Sequence, residues 1–418
     1  MKWRTWIQRL QYVSLCLMAC FIPLDRRLFP PVFAIYVLLC VCEGNFKFRW
    51  QCLIKRRLLP FFMLFAALYV CYVTGVLWSH NYNYACLDLL LKLPFLLFPL
   101  CLFTSDDTIF TRKRLSGLMY AFILGNLIYA FYVLYVWIFK IGVHGIWSCF
   151  QISGSGMVMH HTYISMCFTL AVAFIVHLLL QKKTKVWIKV LLVPWVFILV
   201  FEVIALSSRT AWIAAALLLL LCFVCLTVQI VRRRVSPGYL IAFVLLLAGF
   251  ALFVRCIPTA SNRVLQTFHR VKSAGTLQAA DPRWTIWECS WDVIGEHPIK
   301  GVGTGDIRDS LTEKQTEAGI PSFNSHNQFL NTWVAVGIVG LLLFVAILAF
   351  SLYGALRRHS FLFLVFLLIV VINCMTEAIL EKQTGLVFFV FFDCFFYAVT
   401  SLSSGDDDYE TETKLCLM

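Results

Sequence analysis

Apolar residues in this chain come in runs of about 17 to 25, each closed by a short charged or polar cluster. A run of that length crosses about 30 Å of hydrocarbon as a helix, and only a helix satisfies every backbone N–H and C=O within its own segment there. The pattern predicts twelve transmembrane helices, over 10–24, 28–43, 58–78, 86–103, 115–139, 161–180, 188–206, 210–230, 238–255, 328–352, 361–377 and 384–402. The basic clusters between them are Lys2/Arg4/Arg9, Lys47 to Arg57, Arg112-Lys113-Arg114, Lys182-Lys183-Lys185, Arg232-Arg233-Arg234 and Arg357-Arg358. Each consecutive pair is separated by room for two helices and a turn, so all six fall on one side, which the positive-inside rule makes the cytoplasm. Both ends are then expected inside. The basic stretch Met1 to Arg9 is followed by no small-residue cleavage site, so a retained first helix is expected rather than a removed signal peptide.

The opposite side receives short turns near Asp25, Ser79 to Tyr84, Ser207 to Arg209 and Glu381, a medium loop Lys140 to His160, and one long loop. The expected organisation is 1–254 with nine transmembrane helices, 255–327 as an extracytoplasmic loop, 328–402 with three more helices, and 403–418 as an acidic cytoplasmic tail. In the long loop, Asp281-Pro282-Arg283-Trp284 starts a helix: Asp caps free amides, and Pro at the first position lacks only a donor that is unpaired there anyway. Trp284, Trp287, Trp291 and Ile294 share one face of it, and His297-Pro298 ends it. A Trp-faced helix beside a bilayer lies along the interface or packs on the bundle.

Composition agrees with the pattern. Hydrophobic residues make up 61% of the 418 and charged ones 14%, against roughly 45–50% and about 25% in soluble domains. The net charge of +13 sits largely at helix ends, so the partner it implies is a lipid bilayer and not nucleic acid. Most of the seventeen cysteines lie in apolar runs, with only Cys149, Cys256 and Cys289 outside, and no disulfide framework is expected.

His326, in Phe323-Asn324-Ser325-His326-Asn327, lies where the polar loop re-enters an apolar run. Ser325 or Asn324 as cap would place His326 in the first helical turn, where the helix dipole disfavours a cation and keeps the imidazole neutral. A neutral imidazole suits a general base for an attacking hydroxyl; the competing reading is an interfacial His that only hydrogen-bonds the loop. Arg209, in the turn Ser207-Ser208-Arg209-Thr210, either snorkels to headgroups or grips an anion at the membrane surface. Arg255, Arg263, Arg270, Lys272 and Arg283 add positive charge on that same side, against the positive-inside bias. Gly301-Val302-Gly303-Thr304-Gly305 follows no strand and reads as a flexible turn, not a nucleotide loop. His160 and His161 are adjacent and point apart on a helix, which makes a metal pair weak.

Taken in order, Ser207-Ser208-Arg209-Thr210, Arg283-Trp284-Thr285-Ile286-Trp287, His297-Pro298-Ile299-Lys300-Gly301-Val302-Gly303-Thr304-Gly305, His326-Asn327-Gln328-Phe329-Leu330 and Val336-Gly337-Ile338-Val339-Gly340 resemble the O-antigen ligase and polymerase family over roughly Gly142 to Leu343. The resemblance implies an all-α membrane glycosyltransferase of the GT-C type in a bacterial inner membrane. Its site would face the periplasm, with undecaprenyl diphosphate-linked glycan as donor and no cofactor. The ligase branch uses lipid A-core as acceptor, the polymerase branch extends the glycan, and a third branch glycosylates protein side chains. By motif match His326 takes the catalytic role and Arg209 and Arg283 the diphosphate, with His161 and Asn327 as further substrate contacts and no metal site. Length and the absence of an appended loop domain favour the ligase. Another class remains open: a transporter or flippase of a lipid-linked anion, whose pathway would need charge within the membrane, for which Lys92 and Glu202 are the few candidates.

Overall fold

The computed structural model describes residues 2–136, 139, 159–181, 184–205, 227, 230, 231, 244, 248 and 281–402. The chain divides into two compact units, Met1–Asn126 with Leu180–Lys182 and Asp281–Met418, and Leu127–Leu179 with Lys183–Ala280. Among the described residues all regular structure is helical. The helices are α1 Lys2–Phe21, α2 Phe29–Cys42, α3 Phe46–Lys55, α4 Leu59–Gly75, α5 Tyr82–Lys92, α6 Pro94–Phe103, α7 Arg112–Tyr135, α8 His161–Leu180, α9 Val186–Ala205, α10 Arg283–Glu296, α11 Ile307–Glu317, α12 Gln328–Arg357, α13 Phe361–Cys374 and α14 Gln383–Leu402.

Seven of the described helical stretches are long and apolar enough to cross a membrane, or eight if α2 and α3, bent by 105°, form one broken span. The expected spans 210–230 and 238–255 fall almost wholly outside the described residues. Proline sets several starts: α2, α4 and α6 each carry it in their first turn, where its missing donor costs nothing. Pro94 also divides the stretch Tyr82–Phe103 into α5 and α6, two halves of one 22-residue span.

The first unit is built around α14. Phe388, Phe392 and Phe396 meet Phe366 of α13, while Phe391 and Phe395 reach Phe98 of α6 and Phe110. Phe122 of α7 packs edge-on against Phe392 at 4.7 Å. Lipid tails are as apolar as these rings, so the association rests on close ring packing rather than on expulsion of water.

The segment 44–57, expected as a connection, instead forms α3 and buries Arg49. Its guanidinium pairs with Glu43 at 2.6 Å and donates to Thr104 Oγ1 and the Cys101 carbonyl, joining α2, α3 and the end of α6. Gln11 of α1 donates to the same Glu43 carboxylate at 3.0 Å. Arg56 pairs with Asp107 at this end as well.

The opposite end of α4 carries a different structure. The segment 298–306, of which Gly301 to Gly305 were expected as a flexible turn, docks by its backbone onto a break in α12. Val336 and Gly337 leave helical geometry there, so Val334 and Ala335 offer their carbonyls to the amides of Val302 and Gly303 at 2.8 and 3.0 Å. The Ile338 amide turns to the Pro298 carbonyl at 3.1 Å. Gly337, at φ +72°, lies so close to the Ile299 carbonyl that a Cβ would overlap it, and Gly301, at φ +69°, approaches the Val334 and Ala335 backbone in the same way. Thr304 Oγ1 then donates to the Tyr72 carbonyl at 2.6 Å, and Gly305 N to Ser79 Oγ at 2.9 Å.

In α10, Asp281 accepts the Arg283 amide at 3.1 Å, as its capping role predicts. The buried face is Ile286, Cys289, Ser290, Val293 and Ile294. Trp284 and Trp291 are exposed, with the Trp291 ring 5.4 Å from that of Trp333 in α12, while Ile294 is buried. The line Ile286, Cys289, Val293 is itself a helical stripe, spaced i, i+3, i+7.

In the second unit Tyr129 packs edge-on against Phe168 of α8 at 6.3 Å and accepts the Met159 amide at 3.2 Å. Phe131 meets Trp195 of α9 at 5.1 Å.

Candidate functional site

His326 and Arg283 converge on one carboxylate that the sequence did not single out, Glu377 in the turn between α13 and α14. His326 Nδ1 lies 3.1 Å from Glu377 Oε2, and Arg283 Nη2 lies 3.2 Å from Glu377 Oε1. The carboxylate is 8% exposed while the imidazole and guanidinium are 25% and 27% exposed, so the imidazole and guanidinium border solvent and the anion backs them. With Nδ1 turned to a carboxylate, the tautomer carrying its proton there leaves Nε2 as the basic nitrogen. The signal for Glu377 in the sequence is slight: an acid three residues after the end of an apolar run, between Thr376 and Ala378.

His326 itself lies before its helix, where the first helical turn was expected. Asn327 is the N-cap of α12, accepting the Phe329 and Leu330 amides at 2.9 and 3.2 Å. His326 therefore precedes the helix, at φ +44°, a left-handed conformation rare for a residue with a side chain. Such a conformation costs about 1–3 kcal/mol and persists only where surrounding contacts determine it. Here Asn324 Oδ1 accepts the His326 amide at 3.1 Å and Glu377 holds the ring. The electrostatic partner of the imidazole is thus a carboxylate, where a helix terminus was expected.

Asn327 spends its side-chain oxygen on the cap, and its Nδ2 donates to the Met375 carbonyl at 3.4 Å. That bond ties the His326 turn to the turn carrying Glu377. Arg209 lies outside the described residues, as do Arg255, Arg263, Arg270 and Lys272. His161 is the first residue of α8 in the second unit, its ring 4.1 Å from that of His160. Among the described residues no three His, Cys, Asp or Glu side chains gather as a metal-holding group.

At the same end of the unit, Asp306 accepts the amides of His80 and Asn81 at 2.7 and 2.8 Å and meets the His80 ring at 3.0 Å. Burial works to raise this carboxyl, but the two amides and the imidazole outweigh it and hold Asp306 below the ordinary carboxylate value. This pins the α4–α5 turn to the start of α11.

Two comparisons bear on the arrangement. Residues 194–345 match the family described as O-antigen ligase, a segment that includes Arg209, Arg283, His326 and Asn327. Over 188 residues the chain is 28% identical to the ComP-specific O-oligosaccharyltransferase of Acinetobacter baylyi (strain ATCC 33305 / BD413 / ADP1). That match covers 43% of this chain and 33% of the relative, so the chain spans about a third of the length of the curated relative it matches. The matched segment and this relative agree in direction: residues 194–345 are similar to the O-antigen ligase family.

Proposed function

We propose that the chain is an inverting glycosyltransferase that moves a glycan from undecaprenyl diphosphate to a hydroxyl of lipid A-core at the periplasmic face of the inner membrane. The observation that carries this reading is the convergence of His326 and Arg283 on Glu377 at one end of the bundle. Glu377 orients the imidazole, and His326 accepts the proton of the acceptor hydroxyl as its oxygen bonds to the anomeric carbon. The bond from that carbon to the phosphate oxygen breaks, and the electron pair leaves on the diphosphate. Arg283 neutralises the charge that develops there. A single displacement inverts the anomeric centre.

Charge supports this side of the membrane. Arg49 and Arg56 occupy the end of α4 opposite the Gly301–Asp306 segment and the His326 turn, and the positive-inside rule assigns the arginine-rich end to the cytoplasm. Lipid A-core is favoured as acceptor by the O-antigen ligase-like segment. A second reading, a protein hydroxyl as acceptor, draws on the relative, whose name gives it specificity for ComP.

His326→Ala decides the enzymatic reading. In reconstituted protein with a lipid diphosphate-linked oligosaccharide donor and lipid A-core, the variant is expected to lose transfer by about 10²–10⁴-fold, the range set by a general base. Undiminished transfer sinks the role. In a deletion strain, loss of the whole lipopolysaccharide ladder supports the ligase, retention of one repeat unit supports a polymerase, and an intact ladder with an unglycosylated protein supports a protein acceptor.

A further inference from the structure

Lys92 ends α5 with its side chain 0% exposed. It pairs with Asp88 one turn earlier, lies 3.5 Å from Glu381 Oε1, and sits over the Tyr72 ring with Nζ 4.5 Å from the centroid. A buried ammonium inside a membrane-spanning stretch is costly unless it is paired, and such residues mark function more often than packing.

The contacts beyond Lys92 lead to the site. Glu381 accepts from Tyr84 Oη at 3.2 Å and from Asn331 Nδ2 at 2.8 Å. Asn331 Oδ1 faces Ser325 Oγ at 3.2 Å, and the same hydroxyl lies 2.8 Å from the Asn327 carbonyl. Ser325 and Asn327 flank His326. In parallel, Gln328 Oε1 accepts the Leu380 amide at 2.7 Å, so the turn that bears both Glu377 and Glu381 is bound to the first turn of α12. Every residue of this chain of contacts is buried or half-buried, and His326 at its end is held in a left-handed conformation that needs external support.

We infer that Lys92 is a positioning residue for the His326–Glu377 pair: by holding Glu381 it fixes the 375–382 turn and, through Asn331 and Ser325, the turn that carries His326. This rests on the transferase reading of the site for its catalytic consequence, while its structural content stands apart from that reading. A lysine serves here because one compact ammonium is shared between two carboxylates and an aromatic face, which a neutral side chain of equal length does not do.

The test uses the full-length chain purified in detergent, as wild type, Lys92→Met, Lys92→Arg and Asn331→Leu. Diethyl pyrocarbonate is applied at one fixed pH, and the rate of His326 carbethoxylation is read by mass spectrometry of its peptide. Transfer is measured from a synthetic undecaprenyl diphosphate-linked oligosaccharide to lipid A-core. Lys92→Met is expected to label His326 several-fold faster and to lower kcat by about 100-fold, the cost of a displacement near 1 Å, with the donor KM held. Lys92→Arg is expected to recover most of both. Asn331→Leu cuts the link to Ser325 without altering a charge, so it is expected to show the same two changes and replaces Lys92→Met if that variant does not fold. Wild-type values of either readout in the folded variant overturn the inference. If the wild-type chain transfers no glycan, the transferase reading fails, and the labelling rates alone decide the role of Lys92.

Discussion

Glu377 accepts two neighbours with its two oxygens, so removing its charge separates two effects that a His326 substitution merges. Glu377→Gln keeps the size of the side chain and can still meet one partner, but it no longer favours the imidazolium that forms as His326 takes a proton. Transfer is expected to fall by about 100-fold or more with the protein still folded, measured as initial rate at saturating donor. A rate near wild type overturns the orienting role and reduces Glu377 to a counter-ion for Arg283. The left-handed His326 belongs to the same scale, because its backbone strain is balanced by contacts from Asn324 and Glu377, both within one side chain's reach.

At the scale of elements, the break in α12 and the loop docked into it act as one piece. Gly337→Ala puts a Cβ into the Ile299 carbonyl and forces a positive φ on a residue that resists it. It is expected to destabilise the protein by about 1–3 kcal/mol or more, read as a lowered Tm in detergent. Gly295→Ala is the matched control: it lies in helical α10 with nothing within 4 Å of a built Cβ, and should stabilise by about 0.5–1 kcal/mol. Equal effects of the two overturn this account of the break. Asp306 makes the second elemental prediction. Its carboxyl is held below the ordinary value, so its stabilisation is fully present above that value and is lost as the pH falls through the folded-state one. Asp306→Asn is therefore expected to cost about 1.5–3 kcal/mol near neutral pH, with the gap from wild type closing in acid. A gap that stays constant from neutral pH down to strong acid contradicts the assignment.

For the whole molecule, the governing question is orientation. Arg49 and Arg56 gather at one end of the first unit, and the His326 site with the 298–306 segment gathers at the other. Alkaline phosphatase, active only outside the cytoplasm, is expected to be active when fused after Ala318, just past α11, and inactive when fused after His359 beside Arg357 and Arg358. The reverse pattern turns the protein over in the membrane and removes a lipid diphosphate of the outer face as substrate.

Hydropathy placed most of the apolar helices that the structure describes to within a few residues, α1 excepted, because a bilayer forces each apolar run to satisfy its own backbone. The start marked by Asp281 and Pro282 was legible for a local reason, whereas the break at Pro94 inside the expected span 86–103 was not. His326 was visible as chemistry beside an apolar run, and Arg283 as positive charge in the long polar stretch before it. What tertiary structure alone supplied is everything carried across long separations in the chain: Glu377, 51 residues from His326 and 94 from Arg283, and the link from Lys92 through Glu381 and Asn331 to the His326 turn. The same holds for the Gly-rich segment, which α12 anchors by breaking to accept its amides. A periodicity reports which face of one element is apolar; it does not report which buried polar group a distant element will bring to it, since that is decided by packing, where a buried charge or backbone donor left without a partner is costly.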